Sequence, residues 1–247
     1  EHRLWIDGKI VDAHGAFTGG PVRFLKPDVF TFQAVTDSVD IVIEMRNRSH
    51  GNAGIGQSFT LGRPEAVART HMASVIMEII LTAVCVFAGI YHTIMFAFRR
   101  KEKDLLYFGL FCLVIALRTM STGNTYMMQL FPHMPFEVGS RIATAVIPLS
   151  VMAFLLFSYH FFIEIMPRRV MLGILGANTA YLALVFTTST FFYASAFNWY
   201  LLLVLATFLF VFGVAVASIV RGNRYALIYL LGFSFLFLGA ANDMLHY

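Results

Sequence analysis

The sequence predicts a membrane all-α helical bundle, with six spans present of an expected seven, preceded by a partial extracytoplasmic β-sandwich. Of its residues, 58% are hydrophobic and 13% are charged, whereas soluble domains average about 25% charged. Charge is also concentrated at one end, since residues 1–70 carry 8 basic and 8 acidic side chains while the rest carry 10 and 6. Six apolar runs follow, each near the roughly 20 residues that cross a bilayer. The chain therefore divides into a polar head, 1–70, and a membrane body, 71–247.

The head has the pattern of short β-strands. In RLWIDGKIV, Asp7–Gly8 separates two apolar triplets, which is a strong hairpin signal. The stretches DVFTFQAV and DIVIEMRN alternate with period two, and GQSFTLG follows a glycine-rich turn. Four or five strands in this length predict part of a β-sandwich, because a complete one needs about 100 residues.

The membrane body contains six predicted spans, at about 73–98, 105–125, 138–163, 170–192, 197–220 and 225–241. Its basic residues lie mainly in FRRKEKD, MPRR and RGNR, which alternate with loops that lack such charges. By the positive-inside rule these three loops face the cytoplasm. The head and Tyr247 are therefore expected on the extracytoplasmic side.

Ionisable and amide side chains inside the spans are the candidate site residues, because each is unfavourable in lipid without a partner. Glu78 and Arg118 lie at nearly the same depth and are predicted to form an ion pair. One interpretation is a purely structural link between adjacent helices. The other is an outward-facing polar pocket for a ligand, in which Asp243 pairs with Arg141. The predicted pocket consists of Glu78, Arg118, Asn124, Arg141, Asn242 and Asp243.

Histidines provide the main alternative. His92 and His160 lie at similar depth near the inner ends of two spans, so they could ligate a haem iron or another metal. Three further histidines at the outer face, His71, His133 and His246, could bind zinc. Neither set has the tight spacing of a metal motif, so the sequence predicts no resident cofactor.

Two smaller features concern packing. Gly173, Gly176 and Ala177 in the fourth span are small enough to allow close approach of another helix. Cys85 and Cys112 both lie in apolar runs and are expected to behave as small buried hydrophobes.

Several segments in this order resemble the bacterial seven-transmembrane receptors with diverse intracellular signalling modules. They are IVIEMRNRSHGNAGIGQSFTLG before the membrane, YHTIMFAFRRKEKDLLYFGLFCLVIALRTMSTGNTYMMQLFP across the first two spans, FEVGSRIATAVIPLSVMAFLLFSYHFF in the third, and GAANDMLHY at the end of the sixth.

The resemblance implies a multi-pass protein of the bacterial inner membrane. In that family an extracytoplasmic β-sandwich, proposed to bind carbohydrate-like ligands, precedes seven helices and a cytoplasmic output domain. That output is typically a diguanylate cyclase, histidine kinase, nucleotide cyclase or phosphatase. We accordingly expect a seventh span and an output domain to follow Tyr247, and the first part of the sandwich to precede residue 1.

The expected function is that of a sensory receptor core, working as a homodimer among membrane lipids and binding no nucleic acid. No nucleophile–base pair, phosphate-binding glycine loop or catalytic carboxylate pair is evident, so no enzyme is expected within these residues. The alternatives are a six-span redox protein with haem between His92 and His160, and a transporter. A transporter is disfavoured because no repeated interrupted spans are evident.

Overall fold

The computed structural model describes residues 2–14, 29–33, 38–45, 59–122, 127, 130–131 and 133–245, without the side chains of residues 240–245. In its described part the head contains three strands, β1 (His2–Ile6), β2 (Lys9–His14) and β3 (Ile41–Met45). The described helices of the body number six and follow one another along the chain. They are α1 (Pro64–Phe98), α2 (Lys103–Ser121), α3 (Phe136–Phe161), α4 (Arg168–Thr187), α5 (Thr190–Val220) and α6 (Tyr225–Leu245).

The strands form one antiparallel sheet in the order β2-β1-β3. The predicted hairpin at Asp7–Gly8 is confirmed, and both turn residues have positive φ, 48° and 75°, as a tight two-residue hairpin requires. The Asp7 carboxylate also accepts a hydrogen bond from the Asp40 amide at 3.0 Å, which places the start of β3 beside the turn.

The predicted sandwich is not confirmed, because the described residues form only this three-stranded sheet. Residues 29–33, within the predicted strand DVFTFQAV, are described and are not a strand. The same holds for residues 59–62 at the end of GQSFTLG. Alternation therefore identified β3 correctly but not these two segments, since alternation alone does not supply a neighbouring strand to pair with.

Among the described residues, five helices, α1 to α5, are long and apolar enough to cross a membrane. The sixth helix is apolar over Tyr225–Gly239, the part of α6 whose side chains the structure describes. A sixth span is therefore not confirmed. The predicted spans nevertheless each coincide with one of the six helices.

The largest boundary error concerns the turn between the fourth and fifth spans, which was predicted near 193–196. The structure has this turn at Thr188 and Ser189, and α5 begins already at Thr190. The aromatic stretch FFYASAFNWY is therefore the first part of α5. Aromatic side chains are common at both membrane surfaces, and those of this stretch were expected to lie in that interfacial belt.

Each helix packs against the next one in the chain, and α3 also packs against α5. In an apolar stretch of 18 residues within each helix, 44% of the residues are buried in α3 and 39% in α5, against 6% in α1. Helices α3 and α5 are thus the centre of the bundle, and α1 is a peripheral helix. Helix α2 lies between α1 and α3, which make no backbone contact with each other.

Candidate functional site

Glu78 on α1 and Arg118 on α2, the predicted ion pair, are both half-buried. Glu78 is eleven residues, or three helical turns, before Gly89, which faces α2. Arg118 is seven residues after Phe111, whose ring contacts Phe154 of α3 at 5.7 Å. Helical periodicity therefore directs Glu78 towards α2 and Arg118 towards α3. The ion pair between them stays a prediction.

Arg141 lies near the start of α3 and contacts the end of α4. Its guanidinium donates to the carbonyl oxygens of Phe186, at 2.9 Å, and Thr188, at 3.3 Å. The last carbonyls of a helix have no partner within that helix and carry partial negative charge. Arg141 therefore caps α4 and holds it against α3.

The other predicted pocket residues lie outside the described part of the chain. Asn124 is not described, and the side chains of Asn242 and Asp243 at the end of α6 are not described either. The pairing of Arg141 with Asp243 and the outer pocket as a whole stay predictions. Two shallow depressions open on the described surface, and neither contains a predicted pocket residue.

The structure does not support the haem alternative. His92 Nδ1 lies 2.8 Å from the Ala88 carbonyl oxygen of its own helix, and its ring packs edge-on against Phe108 of α2. His160 stacks on Tyr107, also of α2, at 5.1 Å between ring centroids. Two axial ligands of one iron must face each other, but α2 and its aromatic side chains lie between these two histidines.

A buried set of polar side chains joins α3, α4 and α5, and the sequence analysis missed it. The Tyr193 hydroxyl is 2.9 Å from Ser140 Oγ across the α3–α5 interface. Tyr181 donates to the Tyr193 carbonyl oxygen at 3.2 Å. The Tyr200 hydroxyl donates to Asn178 Oδ1 at 2.7 Å, and the Asn178 amide donates to a carbonyl one turn earlier. We call these five residues the outer polar cluster.

Two kinds of contact hold the outer polar cluster together. Its hydrogen bonds between helices are buried, so breaking one leaves an unsatisfied polar group. The rings of Tyr181 and Tyr200 also stack nearly parallel, 4.0 Å between centroids. A signal for this cluster was present in the sequence, because Asn178 lies inside an apolar span and needs a partner there. Its partner could not be assigned without knowing which helix faces are adjacent.

Near the end of α3 and the starts of α2 and α6, these three helices meet mainly through aromatic rings. The Tyr229 ring on α6 lies 5.2 Å from Phe161 and 5.9 Å from Phe157. Phe157 in turn contacts Phe108 of α2 at 5.2 Å. Aromatic pairs of this kind favour offset-stacked or edge-to-face arrangements. We call this region the inner aromatic cluster; its members are Phe108, Phe111, Phe154, Phe157, Phe161, Phe162, Tyr229 and Phe233.

The closest helix contact in the described body joins α1 and α2 at Gly89 and Gly109. A Cβ atom added to Gly109 would lie 2.8 Å from Thr93 Oγ1 and 3.0 Å from the Gly89 carbonyl oxygen. By contrast, a Cβ added to Gly173 or Gly176 would have no atom within 4 Å. No described helix approaches these two glycines closely, and the close approach found here joins the first two spans instead.

A model of the family described as 7TM diverse intracellular signalling matches residues 74–247, which is more than half of the chain. The match begins inside α1 and covers the rest of the helical body. No curated protein and no solved structure gives a significant match.

Proposed function

Since the chain belongs to the family of 7TM diverse intracellular signalling receptors, we propose that it couples an extracytoplasmic ligand to a cytoplasmic output domain. Family membership makes it a multi-pass transmembrane signalling receptor. The proposal adds a direction, from the polar head through the helices to the cytoplasmic side. It also adds a class of ligand, a carbohydrate-like small molecule, and a homodimer as the working unit.

The observation that carries this proposal is the length of α1. Its 35 residues extend about 52 Å at 1.5 Å per residue, whereas the hydrocarbon layer is about 30 Å thick. The first two turns are polar, with Glu65, Arg69 and His71, so they suit the region just outside the membrane. A continuous helix from the head side into the bundle transmits a rotation or a shift without an intervening flexible loop.

The tight α1–α2 contact supports transmission beyond α1. Because Gly89 and Gly109 bring the two backbones together, a movement of α1 carries α2 with it. Helix α2 then contacts α3 through rings of the inner aromatic cluster, such as Phe108 against Phe157. The outer polar cluster meanwhile keeps α3, α4 and α5 together as a fixed reference. The α1–α2 pair is thus the element best placed to move.

The distribution of basic residues supports the proposed orientation. All basic side chains in the turns between α1 and α2, α3 and α4, and α5 and α6 are exposed. Their common location at one end of the bundle suits contact with the cytoplasm and with anionic lipid headgroups. The charged residues are Arg99, Arg100, Lys101, Lys103, Arg168, Arg169, Arg221 and Arg224.

A labelling experiment in whole cells tests the orientation first. Single cysteines replace Glu65 and Lys101 in separate full-length variants that lack Cys85 and Cys112. The outer membrane is permeabilised and a membrane-impermeant maleimide is added. We expect Glu65→Cys to react, and Lys101→Cys to stay unlabelled until the inner membrane is broken. The reverse pattern would mean that the head faces the cytoplasm, and the proposed direction of signalling would be wrong.

A second experiment tests coupling. The full-length receptor in nanodiscs is titrated with a panel of soluble mono- and oligosaccharides, with binding followed by thermal shift. Spin labels on the inner turns at Lys101 and Arg169 then report whether the ligand moves α1–α2 against α3–α4. Binding with a changed label distance is the expected result. Binding without a change in the distance between the labels would indicate a binding protein instead of a receptor. Uptake of radiolabelled sugar into proteoliposomes would indicate a transporter.

A further inference from the structure

Two buried donor groups near the turn between α4 and α5 have no acceptor among the described residues. One is Nε of Arg141 on α3, although both Nη atoms of the same guanidinium donate to carbonyl oxygens. The other is Oγ1 of Thr190, the first residue of α5, whose surface is only 4% exposed. Buried polar atoms nearly always have a hydrogen-bond partner. Two such donors at one turn therefore call for an acceptor that serves both.

Contacts on both sides of Thr190 place it beside the Arg141 guanidinium. Two residues earlier, the Thr188 carbonyl oxygen accepts from Arg141 Nη2 at 3.3 Å. Three residues later, on the same helix face, the Tyr193 hydroxyl lies 2.9 Å from Ser140, the residue before Arg141. Helices α3 and α5 run in the same direction, and side chains lean towards the start of their helix. The guanidinium therefore extends towards the level of Thr190.

The start of α5 adds backbone donors to these two groups. Ser189, which precedes Thr190, makes no side-chain cap, and the first N–H groups of a helix have no partner within that helix. The start of a helix also carries partial positive charge. A guanidinium, a hydroxyl and free backbone N–H groups are together the donors that bind an oxyanion.

The carboxylates of the chain leave this position open to another acceptor. Glu137, one turn before Arg141 on α3, is exposed to solvent. The predicted pairing of Arg141 with Asp243 concerns other atoms, because a guanidinium has five N–H donors and two of them suffice for the carbonyl oxygens of α4. The exposed Nη1 edge thus stays available to Asp243, whereas Nε is a separate, buried donor.

The surroundings of Thr190 indicate where such an oxyanion comes from. The next two residues, Phe191 and Phe192, are 62% and 56% exposed. Exposed aromatic rings at the end of a span suit the membrane interface, at the depth of the lipid headgroups. A phosphodiester of a headgroup is therefore within reach of this turn, and so is a dissolved phosphate.

We propose that Arg141 Nε, Thr190 Oγ1 and the start of α5 bind one phosphate-type oxyanion, supplied by a lipid headgroup or by a dissolved phosphate. The bound oxyanion links α3 to α5 at the turn where α4 ends. This site is separate from the carbohydrate-like ligand of the proposed function. Its test accordingly needs neither that ligand nor an output domain.

The first measurement is the melting temperature of full-length protein, purified in dodecyl maltoside and freed of lipid. Phosphatidylcholine is added because it carries a phosphodiester without net charge, so the basic turns at the other end of the bundle contribute little. Digalactosyldiacylglycerol, a lipid without phosphate, is the comparison, and inorganic phosphate is the third additive. We expect a rise with phosphatidylcholine and none with the galactolipid. A rise with inorganic phosphate alone assigns the site to a dissolved anion, and no rise with either phosphate compound would overturn the proposal.

Thr190→Val separates ligand binding from packing, since valine keeps the shape and removes the hydroxyl. That hydroxyl has no described protein partner, so the variant should melt no lower than the wild type when no ligand is present. Its dissociation constant for the phosphate ligand, measured by native mass spectrometry, should rise about 2- to 10-fold, as expected for one hydrogen bond. The matched control is Thr187→Val, because Thr187 is exposed and its hydroxyl donates within α4. Binding to this control should be unchanged.

Two charge variants test the guanidinium and its surroundings. Arg141→Lys keeps the positive charge but has no Nε donor, so it should weaken binding at least as much as Thr190→Val. Glu137→Gln removes a negative charge one turn from Arg141 and should tighten binding.

Three results would contradict the site. Equal affinity of Thr190→Val and the wild type would exclude the hydroxyl as a ligand. A lower melting temperature of Thr190→Val without any ligand would mean that this hydroxyl already has a partner within the chain. Binding that appears only in Asp243→Asn would mean that the Asp243 carboxylate, and no external oxyanion, occupies the position.

Discussion

The contact between α1 and α2 leads to the sharpest stability prediction, because its neighbours cannot move aside. A methyl group at Gly109 would lie 2.8 Å from Thr93 Oγ1 and 3.2 Å from the Thr93 backbone nitrogen. The Thr93 hydroxyl is itself held by a hydrogen bond of 2.8 Å to the Gly89 carbonyl oxygen. Gly109→Ala must therefore separate the two helices or break that bond.

The size of the effect follows from two opposing terms. Replacing glycine by alanine in a helix interior favours the helix by about 0.5–1 kcal/mol. Overpacking a tight contact typically costs about 1–3 kcal/mol. Gly176→Ala is a matched control, because its new methyl group meets no atom within 4 Å and only the first term applies. We expect Gly109→Ala to be less stable than Gly176→Ala by about 1–3 kcal/mol.

Steric trapping in bicelles measures the free energy of unfolding of both variants in the same lipid. Gly89→Ala provides a second test of the same contact, since its methyl group would lie 3.0 Å from the Gly109 carbonyl oxygen. If both variants match Gly176→Ala within about 0.5 kcal/mol, which is the usual range for a substitution away from packed features, the contact between α1 and α2 is not as close as described.

Three further changes test the outer half of the bundle. Tyr200→Phe leaves the buried Asn178 oxygen without a donor and should lower the free energy of unfolding by about 1–3 kcal/mol, while the same change at the exposed Tyr225 should have little effect; equal values would exclude the hydrogen bond. Arg141→Gln shortens the cap on α4 and should speed hydrogen exchange at that helix end, so unchanged protection would contradict capping. Asp243→Asn should lower the melting temperature in the wild-type background but not in Arg141→Gln, whereas a silent Asp243→Asn would remove the predicted pairing.

Local features were predicted well wherever a few neighbouring residues decide the outcome. The hairpin at Asp7–Gly8 depends on two residues that tolerate positive φ, and it was identified from them alone. The three basic loops coincide with the turns between α1 and α2, between α3 and α4, and between α5 and α6. Their cytoplasmic location stays a prediction. The start of α5 at Thr190 was missed because aromatic residues are equally common within a helix and at its interface.

Candidate site residues were predicted less completely. A polar residue in a span indicates that it needs a partner, but its sequence position does not identify that partner. Arg141 was expected to meet a carboxylate, and among the described residues it meets carbonyl oxygens at the end of α4. Ser140 and Tyr193 are 53 positions apart in the chain. Only the packing of α3 on α5 brings them together, so no pattern within either span could pair them.

The sequence by itself determined the class of the protein, its family and the approximate position of each helix that the structure describes in the body. Those properties are local, because a segment in lipid must be apolar and must satisfy its backbone hydrogen bonds internally. Only the tertiary structure decided that α3 is central, that Gly109 rather than Gly176 lies at a tight contact, and that Tyr229 meets Ser158. The reason is physical: lipid is as apolar as a helix face, so hydrophobicity does not distinguish the face that packs against a helix from the face that packs against lipid.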